Sequence, residues 1–308
     1  MPKNWKSSSG LAITALVAVT AAWGVTFIVV QDAVSRMPVM DFLAVRFAVA
    51  ALVMIALRPM CLRGMGVQGF KRSAFLGLAL GLGYITQTFG LQHASASVSG
   101  FITGTFVVLT PVVSWILLRR KTGPNVWWAV GLATVGLALL SLNGWSIGVG
   151  ELLTLLCAVF FALHIVGLGE WSPKHDVYGL AVLQIAFVAG LCLAVALPGG
   201  LTLPPDGGVW GAVIVTALVA TAFAFVVQTW AQSLVPATRA AVIMTMEPVF
   251  AGFFAVVLAG NHLTVRVIIG GALVLTAMLL TELKSKPVVK PFEGGLTIQS
   301  TDAIEDNT

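Results

Sequence analysis

An acid beside a proline in the middle of an apolar run can bind a cation or carry a proton. Residues 238–258 read TRAAVIMTMEPVFAGFFAVVL, with Glu247 and Pro248 near the centre. The run is long enough to cross a hydrocarbon core of about 30 Å as a helix. A charged side chain at that depth costs about 2.5–3.5 kcal/mol on insertion scales, so Glu247 is expected to face a bundle interior or a watery cavity. Pro248 removes one backbone donor and frees a carbonyl one turn earlier, which other groups must satisfy. A second charge, Arg46, lies five residues inside the apolar run 41–57. From there it either snorkels to the interface or meets a partner within the protein. His164 stands in a third apolar run and can take a proton near neutral pH, or serve only in packing. Whether Arg46 and Glu247 meet is left open by the spacing.

Weaker polar groups fall on helical stripes. Ser99, Thr103, Thr110 and Ser114 share one face of 97–118, and Thr221, Gln228 and Gln232 share one of 209–232. Tyr84 pairs with Gln87, Trp23 with Thr26, Cys157 and Phe161 with His164, and Glu247 with Phe250 and Phe254. Two readings compete for such stripes. One is a cavity with scattered hydrogen-bonding groups among aromatic walls; the other is ordinary packing between membrane helices. Polar contacts of that kind average only about 0.6 kcal/mol, which favours packing for the Ser/Thr stripe. Gly77 with Gly81, and Gly100 with Gly104, have the four-residue spacing that lets helices approach closely.

The elements that must position these groups are membrane spans. Of 308 residues, 58% are hydrophobic and 9% charged, against about 25% charged in a soluble domain. Mean hydropathy is +0.98. Ten apolar runs follow one another: 11–30, 41–57, 73–92, 97–118, 126–142, 148–168, 177–197, 209–232, 238–258 and 265–282. The first is too long for a signal-peptide core and lacks a small-residue cleavage site, so it is expected to stay attached. Residues 1–10 and 284–308 read as polar tails, the second carrying Glu293, Asp302, Glu305 and Asp306. With the N-terminus placed inside, 14 Lys and Arg residues fall on the inner segments and two, Arg36 and Arg266, on the outer. That bias puts both termini in the cytoplasm. The basic residues sit at helix ends, so nucleic acid is not expected as a partner. Three scattered cysteines, Cys61, Cys157 and Cys192, read as buried thiols without a metal or disulfide role.

The two halves of the chain resemble each other. Gln87-Thr88 matches Gln228-Thr229 at an offset of 141, and Trp23-Gly24 and Arg46-Phe47 fall opposite Phe161-Ala162 and Gln184-Ile185 at 138. Pro111 matches Pro248 only at 137. Five spans per copy is odd, so the second copy enters from the opposite side, the arrangement expected of secondary transporters with a site near mid-membrane. The expected fold is therefore all-α, ten transmembrane helices as two inverted five-helix repeats, 11–142 and 143–283.

Five stretches in order resemble the drug/metabolite transporter superfamily, in particular exporters with two EamA-type domains. They are AAWGVTFI at 21–28, VRF at 45–47, ASASVSGFITG at 94–104, Pro236 through Ala251, and GGALVLTAML at 270–279. The chain departs from the usual pattern at Thr26, His164 and Gly260-Asn261. The resemblance implies a plasma-membrane exporter of small metabolites, amino-acid-like or drug-like, driven by proton exchange or acting as an uncoupled facilitator. Glu247, aided by His164, would then load and release the proton. Trp23, Tyr84, Gln87, Thr103, Gln228 and Phe250 would shape the solute pocket, with Thr26 and Arg46 in the same candidate site. The implied partners are a small solute, the lipid bilayer and protons; no cofactor is implied.

Enzymatic readings find little support. Gly64-Met65-Gly66-Val67-Gln68-Gly69 spells the dinucleotide fingerprint GxGxxG but lies in a short basic loop with no room for a βαβ unit. No GxxxxGK[ST], HExxH or GxSxG occurs. An intramembrane enzyme would need a nucleophile, metal ligands or clustered carboxylates at one depth, and only isolated groups are present.

Overall fold

A computed structural model describes residues 5–94, 96–141, 148–259 and 265–283, and among these every regular element is a helix. The helices are α1 (Trp5–Arg36), α2 (Val39–Leu57), α3 (Gly66–Leu91), α4 (Ala96–Gly104), α5 (Phe106–Leu118), α6 (Pro124–Ser141) and α7 (Val149–Trp171). Then come α8 (Val177–Ala196), α9 (Gly207–Ala217), α10 (Ala224–Gln232), α11 (Ala237–Met244), α12 (Met246–Ala259) and α13 (Val265–Leu283). Among the described residues, six continuous stretches are long and apolar enough to cross a membrane; shorter apolar helices lie at 102–118, 124–139 and 268–277. Joining α4 to α5, α9 to α10 and α11 to α12 gives the ten passes expected. Helix α1 starts at Trp5, so much of the expected N-terminal tail is helical. Gly260-Asn261 and the tail 284–308 lie outside the described residues.

The outer surface is apolar, and several polar side chains lie inside an otherwise apolar core. Leu52, Leu78, Trp128, Leu152, Phe223 and Leu279 are exposed, while Arg46, Gln87, His164, Gln184 and Gln228 are buried. Hydrocarbon cannot satisfy polar groups, so they turn inward and apolar side chains face lipid. The Gly64–Gly69 fingerprint is a turn followed by the first turn of α3, with Gly64 and Gly66 at positive φ (90° and 59°).

The halves interlock. Helix α1 packs on α9 to α12 of the second repeat, and its counterpart α7 packs on α3, α4 and α5 of the first. The pairs α2–α8 and α6–α13 are each made of equivalent helices. Such reciprocal pairing is what a pseudo-two-fold axis produces. Small residues set the spacing: a Cβ on Gly77 would lie 2.5 Å from Phe187 Cβ, and one on Gly136 2.7 Å from the Gly270 carbonyl. Gly81 and Gly104 are also in close contact, but Gly100 faces open space and makes no such approach.

Candidate functional site

The eighth pass is not a uniform α-helix. Residues 218–223 form a π segment between α9 and α10, a rare widening that is frequent at functional sites. Thr221 Oγ1 donates five residues back to the Thr216 carbonyl at 2.8 Å. The segment offers two groups to the other repeat. Its Ala220 carbonyl accepts the Trp23 indole N–H at 2.9 Å, and Thr221 Oγ1 accepts from Arg46 Nε at 3.0 Å. The Arg46 guanidinium also lies 5.0 Å from the Tyr84 ring centroid and 5.3 Å from that of Phe47. Arg46 is 3% exposed, so snorkelling to the interface is not what it does.

The fourth and ninth passes are each broken at a threonine. Thr105 (φ −64°, ψ −10°) and Thr245 (φ −66°, ψ −5°) turn the chain alike. Each donates its N–H and its Oγ1–H to the carbonyl three residues back, Ile102 and Val242 respectively. These breaks correspond at an offset of 140, so Pro111, well inside α5, and Pro248, in the first turn of α12, are not equivalent as their sequence match at 137 suggested. The break lets α12 begin at the cavity, with Glu247 as its second residue. Glu247 is half-buried and lines the cavity. Among the described residues it has no ion-pair partner, and neither has Arg46; the two do not pair with each other.

Equivalent glutamines guard both breaks. Gln87 Nε2 donates to Thr103 Oγ1 at 3.2 Å, and Gln228 Nε2 lies 3.6 Å from Met244 Sδ, the same pair of positions in each repeat. Gln228 Nε2 also donates to Gln232 Oε1 at 3.0 Å, but Gln228 Oε1 is buried with no hydrogen-bond partner among the described residues. An orphaned buried acceptor is costly unless an occupant supplies the donor.

Rings connect these polar groups. Tyr84 lies 5.4 Å from Phe161 and 6.2 Å from Phe225; Phe225 in turn lies 5.7 Å from Trp23 and 6.0 Å from His164. Most of these contacts are edge-to-face, the geometry the ring quadrupoles favour. Phe161 presses against α3 at Gly83, where a Cβ would lie 2.4 Å from its ring.

Eight of the ten expected residues border one cavity: Trp23, Thr26, Arg46, Tyr84, Gln87, His164, Gln228 and Glu247. Thr103 stands behind Gln87, and Phe250 packs into a neighbouring apolar cluster instead. Phe106, Phe161, Phe225 and Met244 also line the wall and were not in the expected set. Position alone could have found Phe161 and Phe225, the repeat counterparts of Trp23 and Tyr84. Free space is about 60 Å³, small beside the roughly 300–1,000 Å³ of ligand pockets. No cluster of three or more metal-ligating side chains occurs among the described residues, and the three cysteines are buried and free.

The first helix of each repeat ends in the same device. Arg36 pairs with Asp32 at 2.5 Å and with Asp206, at the start of α9, at 2.9 Å. At an offset of 138, Lys174 pairs with Glu170, and Glu170 also reaches Arg120 beyond α5 at 2.7 Å. Each cluster ties the first helix of one repeat to the other repeat, at opposite ends of the bundle. Asp206 caps α9 as well: hydrogen bonds from the Val209 and Gly208 N–H groups, with the Arg36 guanidinium, hold its carboxyl below the usual carboxylate range.

A polytopic helical bundle with an interlocked repeat and a polar cavity at the repeat junction is a membrane transporter in form. The chain belongs to the EamA-like transporter family, which it matches over residues 10–142 and again over 148–283. It is 34% identical over 284 residues to an uncharacterized transporter of Archaeoglobus fulgidus, covering 92% of this chain and 87% of that one. It is 23% identical over 284 residues to the uncharacterized transporter YoaV of Bacillus subtilis, covering 84% and 92%. A crystal structure aligns with a TM-score of 0.73 at 16% identity, covering 91% of this chain and 99% of that one, a likeness of fold alone.

Proposed function

We propose that this transporter exports small amphipathic solutes across the plasma membrane by alternating access, with both termini in the cytoplasm. The observation that carries the reading is the pair of opposite charges, Arg46 from the first repeat and Glu247 from the second, facing one cavity without neutralising each other. Ionisable groups without an ion-pair partner are expensive in a membrane interior. An occupant with an acidic group for Arg46 and a cationic or donor group for Glu247 and Gln228 Oε1 offsets that cost, which favours amino-acid-like zwitterions among the candidate solutes. The aromatic wall suits the apolar remainder. In this reading the contracted cavity is a closed state, and the ion-pair clusters at Arg36 and Glu170 part in turn to open it.

The test compares cells with and without the protein, loaded with a panel of amino acids, nucleosides and dyes, and measures retention. Zwitterions retained less by expressing cells support the reading; a panel retained equally rejects it. Reconstitution then separates coupling modes. Flux that follows an imposed pH gradient and fails in Glu247→Gln marks proton exchange. Flux indifferent to the gradient and intact in Glu247→Gln marks a facilitator.

A further inference from the structure

Behind the cavity wall runs a chain of hydrogen bonds whose direction is fixed by its far end. Thr229 Oγ1 stands 2.6 Å from the Phe225 carbonyl, which can only accept, so the threonine hydrogen is committed there. The Thr229 oxygen can then only accept from its other neighbour, Gln184, at 3.1 Å. That orients the Gln184 amide with its nitrogen toward Thr229 and its oxygen toward His164. Gln184 Oε1 lies 2.7 Å from His164 Nε2. A carbonyl oxygen has no hydrogen to give, so His164 Nε2 must carry one. The order of donors therefore assigns the amide orientation and the imidazole tautomer together.

We infer that Gln184 and Thr229 are positioning residues that lock His164 with its hydrogen on Nε2, leaving Nδ1 as a fixed acceptor for an N–H or O–H group in the cavity. Gln184 and Thr229 are both fully buried, whereas His164 borders the cavity and Nδ1 has no partner among the described residues. A ring free to flip would offer a donor as readily as an acceptor. A locked ring offers only an acceptor while neutral, adding to Gln228 Oε1 on the same repeat. The second repeat thus receives the donor end of an occupant. That the occupant is a transported solute rests on the function proposed above; the locked tautomer does not.

The test is nitrogen-15 spectroscopy of the full-length protein in nanodiscs, histidine-labelled, at alkaline pH where imidazole is neutral. The His164 signals are identified by their loss in His164→Asn. Nε2 is expected to be protonated and Nδ1 bare, with the Nε2 proton exchanging slowly enough to be detected. Thr229→Val frees the Gln184 amide to turn over, and Gln184→Leu removes the acceptor. Each should speed that exchange by about tenfold or more, the factor expected for losing one buried hydrogen bond. A proton on Nδ1 in the unaltered protein, or Nε2 exchange that neither variant changes, overturns the inference. Transport is read separately, so absent flux with a locked tautomer would count against the proposed function and leave the relay standing.

Discussion

In the first repeat, Thr26 follows Trp23 by one turn and Arg46 reaches in from α2; in the second, the equivalent positions hold His164 and Gln184, behind Phe161. After the helix break the first repeat continues Phe106-Val107 and the second Met246-Glu247. The frame around these positions is shared. Both repeats have a threonine break, a glutamine facing it, and an i,i+4 ion pair ending the first helix. A site on a two-fold axis lined by identical residues would have no direction. Divergence at the wall gives the cavity a basic side and an acidic, acceptor-rich side, while the shared frame keeps both halves able to close in the same way.

The largest effect should come from erasing that polarity. Arg46→Gln and Glu247→Ala each remove one partner of a charge-assisted contact, worth about 1.5–3 kcal/mol, so solute affinity should fall roughly 10- to 150-fold. Equilibrium binding to protein in nanodiscs measures it, and near-native affinity in both variants would leave the asymmetry without a role. Arg46→Gln should still insert and fold, because Gln184 already occupies the equivalent position in the other half.

A steric contrast is next in size. Gly83→Ala drives a methyl into the Phe161 ring, and overpacking of that kind costs about 1–3 kcal/mol. The equivalent residue in the second repeat is Ala224, so Ala224→Gly should cost only about 0.5–1 kcal/mol, the ordinary penalty for glycine in a helix. Thermal unfolding of the two variants gives the ranking. Equal losses would mean that Trp23 and Phe161 are held by the same means after all.

The ion pairs at the two ends should give the smallest effects, of opposite sense. Asp206→Asn loosens the end that joins α1 to α9, and Glu170→Gln the end that joins α7 to the chain beyond α5. Exposed pairs are weak, so each should raise labelling of a cysteine reporter in the cavity from its own side by less than about fivefold. Acid should mimic the first change. Because the Asp206 carboxyl is held below its unfolded range, its contribution is complete above the ordinary carboxylate range and is lost as pH falls through the depressed value. Hydrogen exchange in the first turn of α9 would follow that loss. A response beginning near neutral pH would point to another group.

Much of this was legible in the chain because lipid leaves few choices. Apolar runs of fixed length had to be helices, and Arg46, Glu247 and the glutamines had to turn inward. Helical periodicity then gathered eight of the ten candidate residues at one cavity. Phe250 lies one turn beyond Glu247 on α12, yet its ring packs against the neighbouring apolar cluster and not on the cavity wall, a difference that helical spacing alone does not reveal. The π segment was missed for a similar reason: a 3.6-residue rule cannot see a widened turn, although the five-residue spacing of Thr216 and Thr221 hints at it. Gln184 entered only as the repeat counterpart of Arg46. A lone amide in the middle of an apolar helix must find partners, and that alone could have marked it. The acid–base pairs Asp32–Arg36 and Glu170–Lys174 were also readable from their common offset.

Transport as proposed depends on Glu247 facing the cavity between the two repeats and not lipid. The most direct test is chemical: Glu247→Cys, in a protein with Cys61, Cys157 and Cys192 replaced by alanine, is exposed to a small water-soluble thiol reagent, with Leu78→Cys as the lipid-facing control. The cysteine at 247 is expected to react and the one at 78 to stay unlabelled. Labelling at 247 by lipophilic reagents alone would contradict it.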